Sequence, residues 1–260
     1  MRVIMEHGTA AAEGVRIEAG NTPPQETGSS GTAGEKSAPL VGGRSLVPIQ
    51  AVIFDMDGVI VDSEPLHERA FHDVFGEMGY GETHGMDFPA YYGRSDRALW
   101  EDFVAKHHPP QALEELIAWK QRRLIALLGE TQPIFAGVEG LLRDLHGRYP
   151  LALASGSVHA VISEVLAMRD LRRFFRVVVS VQDVPRPKPF PDVFLRAAEL
   201  LGIEPGRCCV IEDSAVGTQA AVAAGMTVIA ITNTLPASQL AHAHHVVSRY
   251  EEIQALLAAG

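Results

Sequence analysis

Five short apolar runs, each cut off by polar or charged residues, constrain this chain more than any other feature. They are Ala51-Val52-Ile53-Phe54, Leu151-Ala152-Leu153-Ala154, Val177-Val178-Val179, Cys208-Cys209-Val210-Ile211 and Val228-Ile229-Ala230-Ile231. Runs of this length without polar alternation suit strands buried on both faces. Helical patterns lie between the later runs: Phe190, Phe194, Ala197 and Leu201 form one apolar stripe, with Pro191 where a first helical turn accepts it. Strands alternating with helices predict an α/β chain with a parallel sheet covered by helices on both faces.

The first gap breaks that rhythm. Val52 and Leu151 are separated by far more than the ~30 residues of one strand-helix-strand unit, so a segment has been inserted. Within it Leu66, Ala70, Phe71, Val74, Phe75 and Met78 make one helical stripe, and Leu113, Leu116, Ile117, Leu124, Leu127 and Leu128 another. The predicted organisation is a sheet domain over residues 48–65 and 136–260 and an all-helical lid over 66–135. Before it, residues 1–47 are rich in Gly, Ala, Ser, Thr, Pro and Glu and lack an apolar period, which predicts a flexible extension. Glu6, Glu13 and Glu18 count against an acid-poor targeting peptide.

Composition narrows the partners. Lys and Arg number 22 against 32 Asp and Glu, a formal charge of −10, so the chain lacks the positive surface that holds nucleic acid. No apolar run approaches the ~18 residues of a membrane span. Cys208 and Cys209 are neighbours in an apolar run, where a mutual disulfide would be strained, and they read as reduced core residues. The expectation is a cytoplasmic protein, a monomer or weak homo-oligomer, with no membrane or nucleic-acid partner.

Reactive residues follow the apolar runs directly. Asp55 and Asp57 follow the first, Ser155-Gly156-Ser157 the second and Glu212-Asp213 the fourth, while Lys188 lies in the loop after the third. In an open parallel sheet these positions converge at the carboxyl ends of the strands, where ligands bind. Clustered carboxylates raise one another's pKa unless a cation neutralises them, and oxygen ligands of this kind suit Mg²⁺. Asp55 is a candidate nucleophile for phosphoryl transfer and Asp57 a candidate general acid and base. Lys188, Ser155 and the amides around Gly156 are candidate phosphoryl ligands, which predicts a small phosphorylated metabolite as substrate. Arg94 and Arg97 could hold the distal part of an anionic substrate. The Asp-x-Asp-Gly stretch is no calcium loop, because Gly58 stands fourth and Leu66 twelfth where that motif needs Gly sixth and Glu twelfth. His107-His108 and His242, His244 and His245 lack the spacing of a zinc site and read as solvated helix ends. His67 reads either as a hinge into the insert or as a polar helix position.

The stretch Asp55-Met56-Asp57-Gly58-Val59-Ile60-Val61-Asp62-Ser63-Glu64-Pro65 resembles the first motif of the haloacid dehalogenase (HAD) superfamily, in its helical-cap subgroup of phosphatases and β-phosphoglucomutase-like proteins. Ser155 matches the second motif, Lys188 in Pro187-Lys188-Pro189-Phe190-Pro191-Asp192 the third, and Ile211-Glu212-Asp213-Ser214-Ala215-Val216-Gly217 the fourth, in family order. The resemblance implies a Rossmann-like core with the cap inserted after the first motif. It also implies Asp55 as nucleophile, with Asp55, the carbonyl of Asp57, Glu212 and Asp213 around Mg²⁺, and it places the chain with phosphate-ester hydrolases because an aspartate stands at position 57. The alternatives are a phosphomutase of the β-phosphoglucomutase type and a non-catalytic phosphoacceptor.

Overall fold

All five apolar runs form strands: β1 (Ala51–Phe54), β2 (Leu151–Ala154), β3 (Val177–Val179), β4 (Cys208–Glu212) and β5 (Thr227–Ile231). A sixth, β6 (His245–Val247), completes one sheet in the order β3-β2-β1-β4-β5-β6 with every pairing parallel. The computed structural model describes residues 48–91 and 95–259; the extension expected over 1–47 and the candidate Arg94 lie outside the described residues.

Alternation along the strands sorts the core into two layers. Val52, Phe54, Leu151, Leu153, Cys209, Ile211, Ile229 and Ile231 share one cluster with α4 (Val138–His146), α5 (His159–Ala167) and α8 (Tyr250–Ala259). Ala51, Ile53, Ala152, Ala154, Cys208, Val210 and Val228 meet α6 (Asp192–Leu201) and α7 (Ala215–Ala223) on the other face. Because both faces are covered, these strands carry no polar alternation. The sequence did not reveal β6, an edge strand of three residues with His245 and Val246 exposed, too little buried to leave an apolar run. Both cysteines are buried and reduced.

Between β1 and β2 the chain builds α1 (Glu64–Glu77), α2 (Asp96–His107) and α3 (Leu113–Thr131) before α4. Pro65 occupies the first turn of α1, where its missing N–H costs nothing. The three helices form the helical insert and enclose an aromatic core of their own: Phe71, Val74 and Phe75 meet Phe88, Leu99, Trp100, Phe103 and Leu116. Phe75 lies 4.6 Å from Phe103 and Phe71 5.3 Å from Trp100, ring centre to ring centre. At ~25 cal/mol per Å² each such side chain contributes roughly 2–3 kcal/mol. The ends of α1 and α3 nearest the sheet join the main core through Leu66, Ala70, Leu124, Leu127 and Leu128.

Two of the histidines read as solvated helix ends are engaged instead. His107 packs on Phe103 and Tyr80 and meets the His84 carbonyl at 2.8 Å, while His244 Nδ1 accepts the Val228 N–H at 3.0 Å, holding the start of β5. Among the described residues no helix is long and apolar enough to cross a membrane.

Candidate active site

The turn after β1 sets the geometry. Asp55 keeps a strand bond to β4, its N–H donating to the Ile211 carbonyl at 2.9 Å, and the chain then winds tightly as the N–H groups of Val59, Ile60 and Val61 converge on the Met56 carbonyl. Gly58 has φ +72°, and a Cβ on it would run into the Asp213 carboxylate and the Thr234 hydroxyl. Only glycine suits both demands. Asn233 donates to the Gly58 carbonyl at 2.8 Å, and Tyr250 donates to that of Val59 at 2.8 Å, so the turn is braced by residues after β5 and at the start of α8.

Three carboxylates meet here. Ligand oxygens of Asp55, Glu212 and Asp213 all lie within 4.8 Å of one another, and all three residues are buried. Lys188 enters from the loop before α6, 2.9 Å from Asp55 Oδ1 and 2.6 Å from Glu212 Oε1. Glu212 is fully engaged: its other oxygen accepts the N–H groups of Asp213 and Ser214 at 2.8 Å and the Ser214 hydroxyl at 2.9 Å. Gly217, in the first turn of α7, leaves room for that carboxylate, since a Cβ there would overlap it. By contrast, Asp55 Oδ1 touches Lys188 as an ion pair without receiving a directed hydrogen bond.

Charge is strained accordingly. Burial pushes the Asp55 carboxyl up, Lys188 pulls it back, and Glu212 and Asp57 push it up again, leaving its pKa at about 7. Burial, then Glu212 and Asp55, hold Asp213 well above the usual carboxylate range. Burial works against the Lys188 ammonium, but Asp55 and Glu212 outweigh it and its pKa rises. One lysine therefore does not neutralise three buried acids. An Asp55 oxygen met only by the Lys188 ion pair, two buried carboxylates whose pKa values are pushed up and an all-oxygen donor set fit a hard divalent cation.

Asp57 points into a ring of hydroxyls. Ser63 donates to Oδ1 at 2.6 Å and Ser157 to Oδ2 at 2.8 Å, whereas Ser155, fully buried, stands 3.5 Å from Oδ2. Across from it, His67 on α1 places Nε2 3.9 Å from Asp57 Oδ1. The other ring nitrogen meets Lys120 Nζ at 2.7 Å; an ammonium only donates, so Nδ1 accepts and the ring proton falls on Nε2, toward Asp57. Lys120, on α3, is wholly buried, also donates to Asp96 at 2.8 Å and sits 4.6 Å over the Phe71 ring. Burial raises the Asp96 carboxyl, but the Lys120 ammonium outweighs it and holds Asp96 well below the ordinary range.

A family model for haloacid dehalogenase-like hydrolases matches residues 49–225, which contain every one of these groups except Asn233, Thr234 and Tyr250. The chain belongs to the haloacid dehalogenase-like hydrolases. Among relatives within reach, it is 35% identical over 182 residues to the Escherichia coli fructose-1-phosphate phosphatase YqaB, covering 68% of this chain and 94% of that protein. It is also 35% identical over 185 residues to the Escherichia coli hexitol phosphatase B, covering 70% of this chain and 83% of that one. Of solved structures, a HAD family hydrolase from Deinococcus radiodurans, with bound phosphate and sodium, superposes at TM-score 0.61 with 28% identity over 82% of this chain and 96% of that one. A β-phosphoglucomutase from Clostridium difficile shares the fold at TM-score 0.67 and 24% identity, over 81% of this chain and 98% of that one.

In this HAD-like hydrolase the fold brings together Asp55, Asp57, Ser155, Lys188, Glu212 and Asp213. Gly156 adjoins them between the two serines. Arg97 is not among them: it lies half-exposed on α2, paired with Glu114 at 2.7 Å and with Glu101 at 3.8 Å. Sequence reading missed Ser63 and Ser157 as partners of Asp57, and missed Lys120. The one signal for Lys120 was its place between Leu116 and Leu124 in the apolar stripe of α3, where a charge needs a buried partner.

Proposed function

We propose that this hydrolase is a Mg²⁺-dependent phosphatase that releases phosphate from a small sugar-phosphate-like monoester through a phosphoryl group carried on Asp55. The observation that supports it most is the meeting of Asp55, Asp213 and Lys188 at the carboxyl ends of β1 and β4 and in the loop before α6. The names of two relatives, a fructose-1-phosphate phosphatase and a hexitol phosphatase, support the substrate class.

Asp55 and Asp213 would hold the cation, with Glu212 and the carbonyl of Asp57 beside it. When bound, Mg²⁺ supplies charge neutralisation for the carboxylates and for the phosphoryl oxygens. With Asp55 ionised, a carboxylate oxygen attacks phosphorus and the ester oxygen leaves from the opposite side. Lys188 holds an equatorial phosphoryl oxygen, and Glu212 keeps that ammonium in place. Asp57 gives its proton to the departing alkoxide and then takes one from the water that cleaves the acyl phosphate. The insert covers the strand ends and excludes bulk water during the transfer.

A screen of phosphorylated metabolites with and without Mg²⁺ tests this reading. Phosphate released from sugar monophosphates only when Mg²⁺ is present supports it. Isomer formation from a hexose 1-phosphate without net phosphate release would favour the phosphomutase instead.

A further inference from the structure

Ser157 is fixed in this structure at three atoms. Its N–H donates to the Ser155 hydroxyl at 2.9 Å, its carbonyl accepts the Ser180 hydroxyl at 2.8 Å, and its own hydroxyl donates to Asp57 Oδ2 at 2.8 Å. Ser180 is itself wholly buried and pinned: its N–H donates to Asp183 at 2.8 Å, and its hydroxyl accepts the Gln182 N–H at 3.1 Å. Two loops, those after β2 and β3, are thus tied together behind one hydroxyl that faces Asp57.

We infer that Ser157 is the positioning residue for Asp57, setting the plane of its carboxyl so that one oxygen meets the oxygen leaving with the substrate. A carboxylate held at one oxygen still turns about its Cβ–Cγ bond. Asp57 is held at both, by Ser63 at the start of α1 and by Ser157 after β2, two segments far apart in the chain. Ser155 is a poor substitute, since 3.5 Å is at the limit of a hydrogen bond. Preorganised donors of this kind matter because a proton-transfer group loses efficiency when its orientation is lost. The inference rests on the proposed phosphatase chemistry, in which Asp57 protonates the leaving oxygen.

The test compares wild type, Ser157→Ala, Ser157→Cys and Ser157→Thr on phenyl phosphate and 4-nitrophenyl phosphate in the presence of Mg²⁺. The two esters have nearly one shape, but the 4-nitrophenolate leaves with little need of a proton. Ser157→Ala and Ser157→Cys, the second keeping the side-chain volume, are expected to lose ~10- to 100-fold in kcat on phenyl phosphate and less than ~3-fold on 4-nitrophenyl phosphate, with KM within ~2-fold. Ser157→Thr, which keeps the hydroxyl, is expected to restore the phenyl phosphate rate to within ~3-fold of wild type. Equal losses on both esters, a raised KM at unchanged kcat, or no change at all in an active background would overturn the assignment while leaving the phosphatase reading intact. A wild-type protein that releases phosphate with Mg²⁺ from neither ester nor any sugar monophosphate overturns the phosphatase reading and this assignment with it.

Discussion

Replacing Asp55 by Asn should stabilise the metal-free protein, and by more as the pH rises. The Asp55 carboxyl is raised from 3.8 to about 7 in the fold, chiefly by burial. An unfolded chain loses that proton near pH 3.9, so across the interval up to pH 7 the folded state binds more protons, and stability falls as pH rises. At ~1.4 kcal/mol per decade the raised pKa costs the fold about 1–2 kcal/mol near pH 5 and about 4 kcal/mol near pH 8. Asn keeps the shape without the charge, and Lys188 retains Glu212 at 2.6 Å, so no buried ammonium is stranded. Urea unfolding in excess chelator, run on both proteins from about pH 5 to about pH 8, reads the difference directly. The midpoint advantage of the variant should grow across that range and correspond to several degrees in Tm at the alkaline end. Curves for the two proteins that stay parallel across the pH range, or a variant less stable near pH 8, would refute the claim that Asp55 sits in a charge-starved site.

Lys188→Met removes the cation between Asp55 and Glu212 and leaves two buried carboxylates facing each other; it should cost about 3–5 kcal/mol in metal-free thermal unfolding and lower phosphate release at least ~1000-fold. Lys120→Met, which strands Asp96 and the Nδ1 of His67 inside the insert, should lower stability by about 3 kcal/mol in denaturant titration while the isolated response of the site to Mg²⁺, followed by its effect on Tm, stays within about a factor of two.

The parts of this molecule visible in its sequence are those that the physics of burial writes repeatedly. Strands covered on two faces are mostly apolar, so β1 to β5 each show an apolar run, and the polar residues that follow the runs mark the strand ends where Asp55, Ser155 and Asp213 gather. Ser63 and Asn233 leave no such trace, and Ser157 is visible after the second run without its partner. A small polar residue in a loop reads the same whether it faces water or a catalytic carboxylate, and only the folded path brings Asn233 to the Gly58 carbonyl or Ser157 to Asp57. Lys120 was hidden differently, as one charge in a leucine stripe whose partners, Asp96 and His67, lie on two other helices. Arg97, a candidate phosphate ligand by sequence, pairs with Glu114 on the next helix in an exposed ion pair.

The decisive measurement for Asp55 is rapid-quench peptide mass spectrometry of the enzyme caught during turnover of a sugar monophosphate with Mg²⁺. A phosphoryl adduct on the peptide carrying Asp55, appearing before phosphate is released and absent from Asp55→Asn, is the result predicted here. Turnover by wild type with no adduct at any quench time, or phosphate release by Asp55→Asn at a rate comparable to wild type, would contradict it.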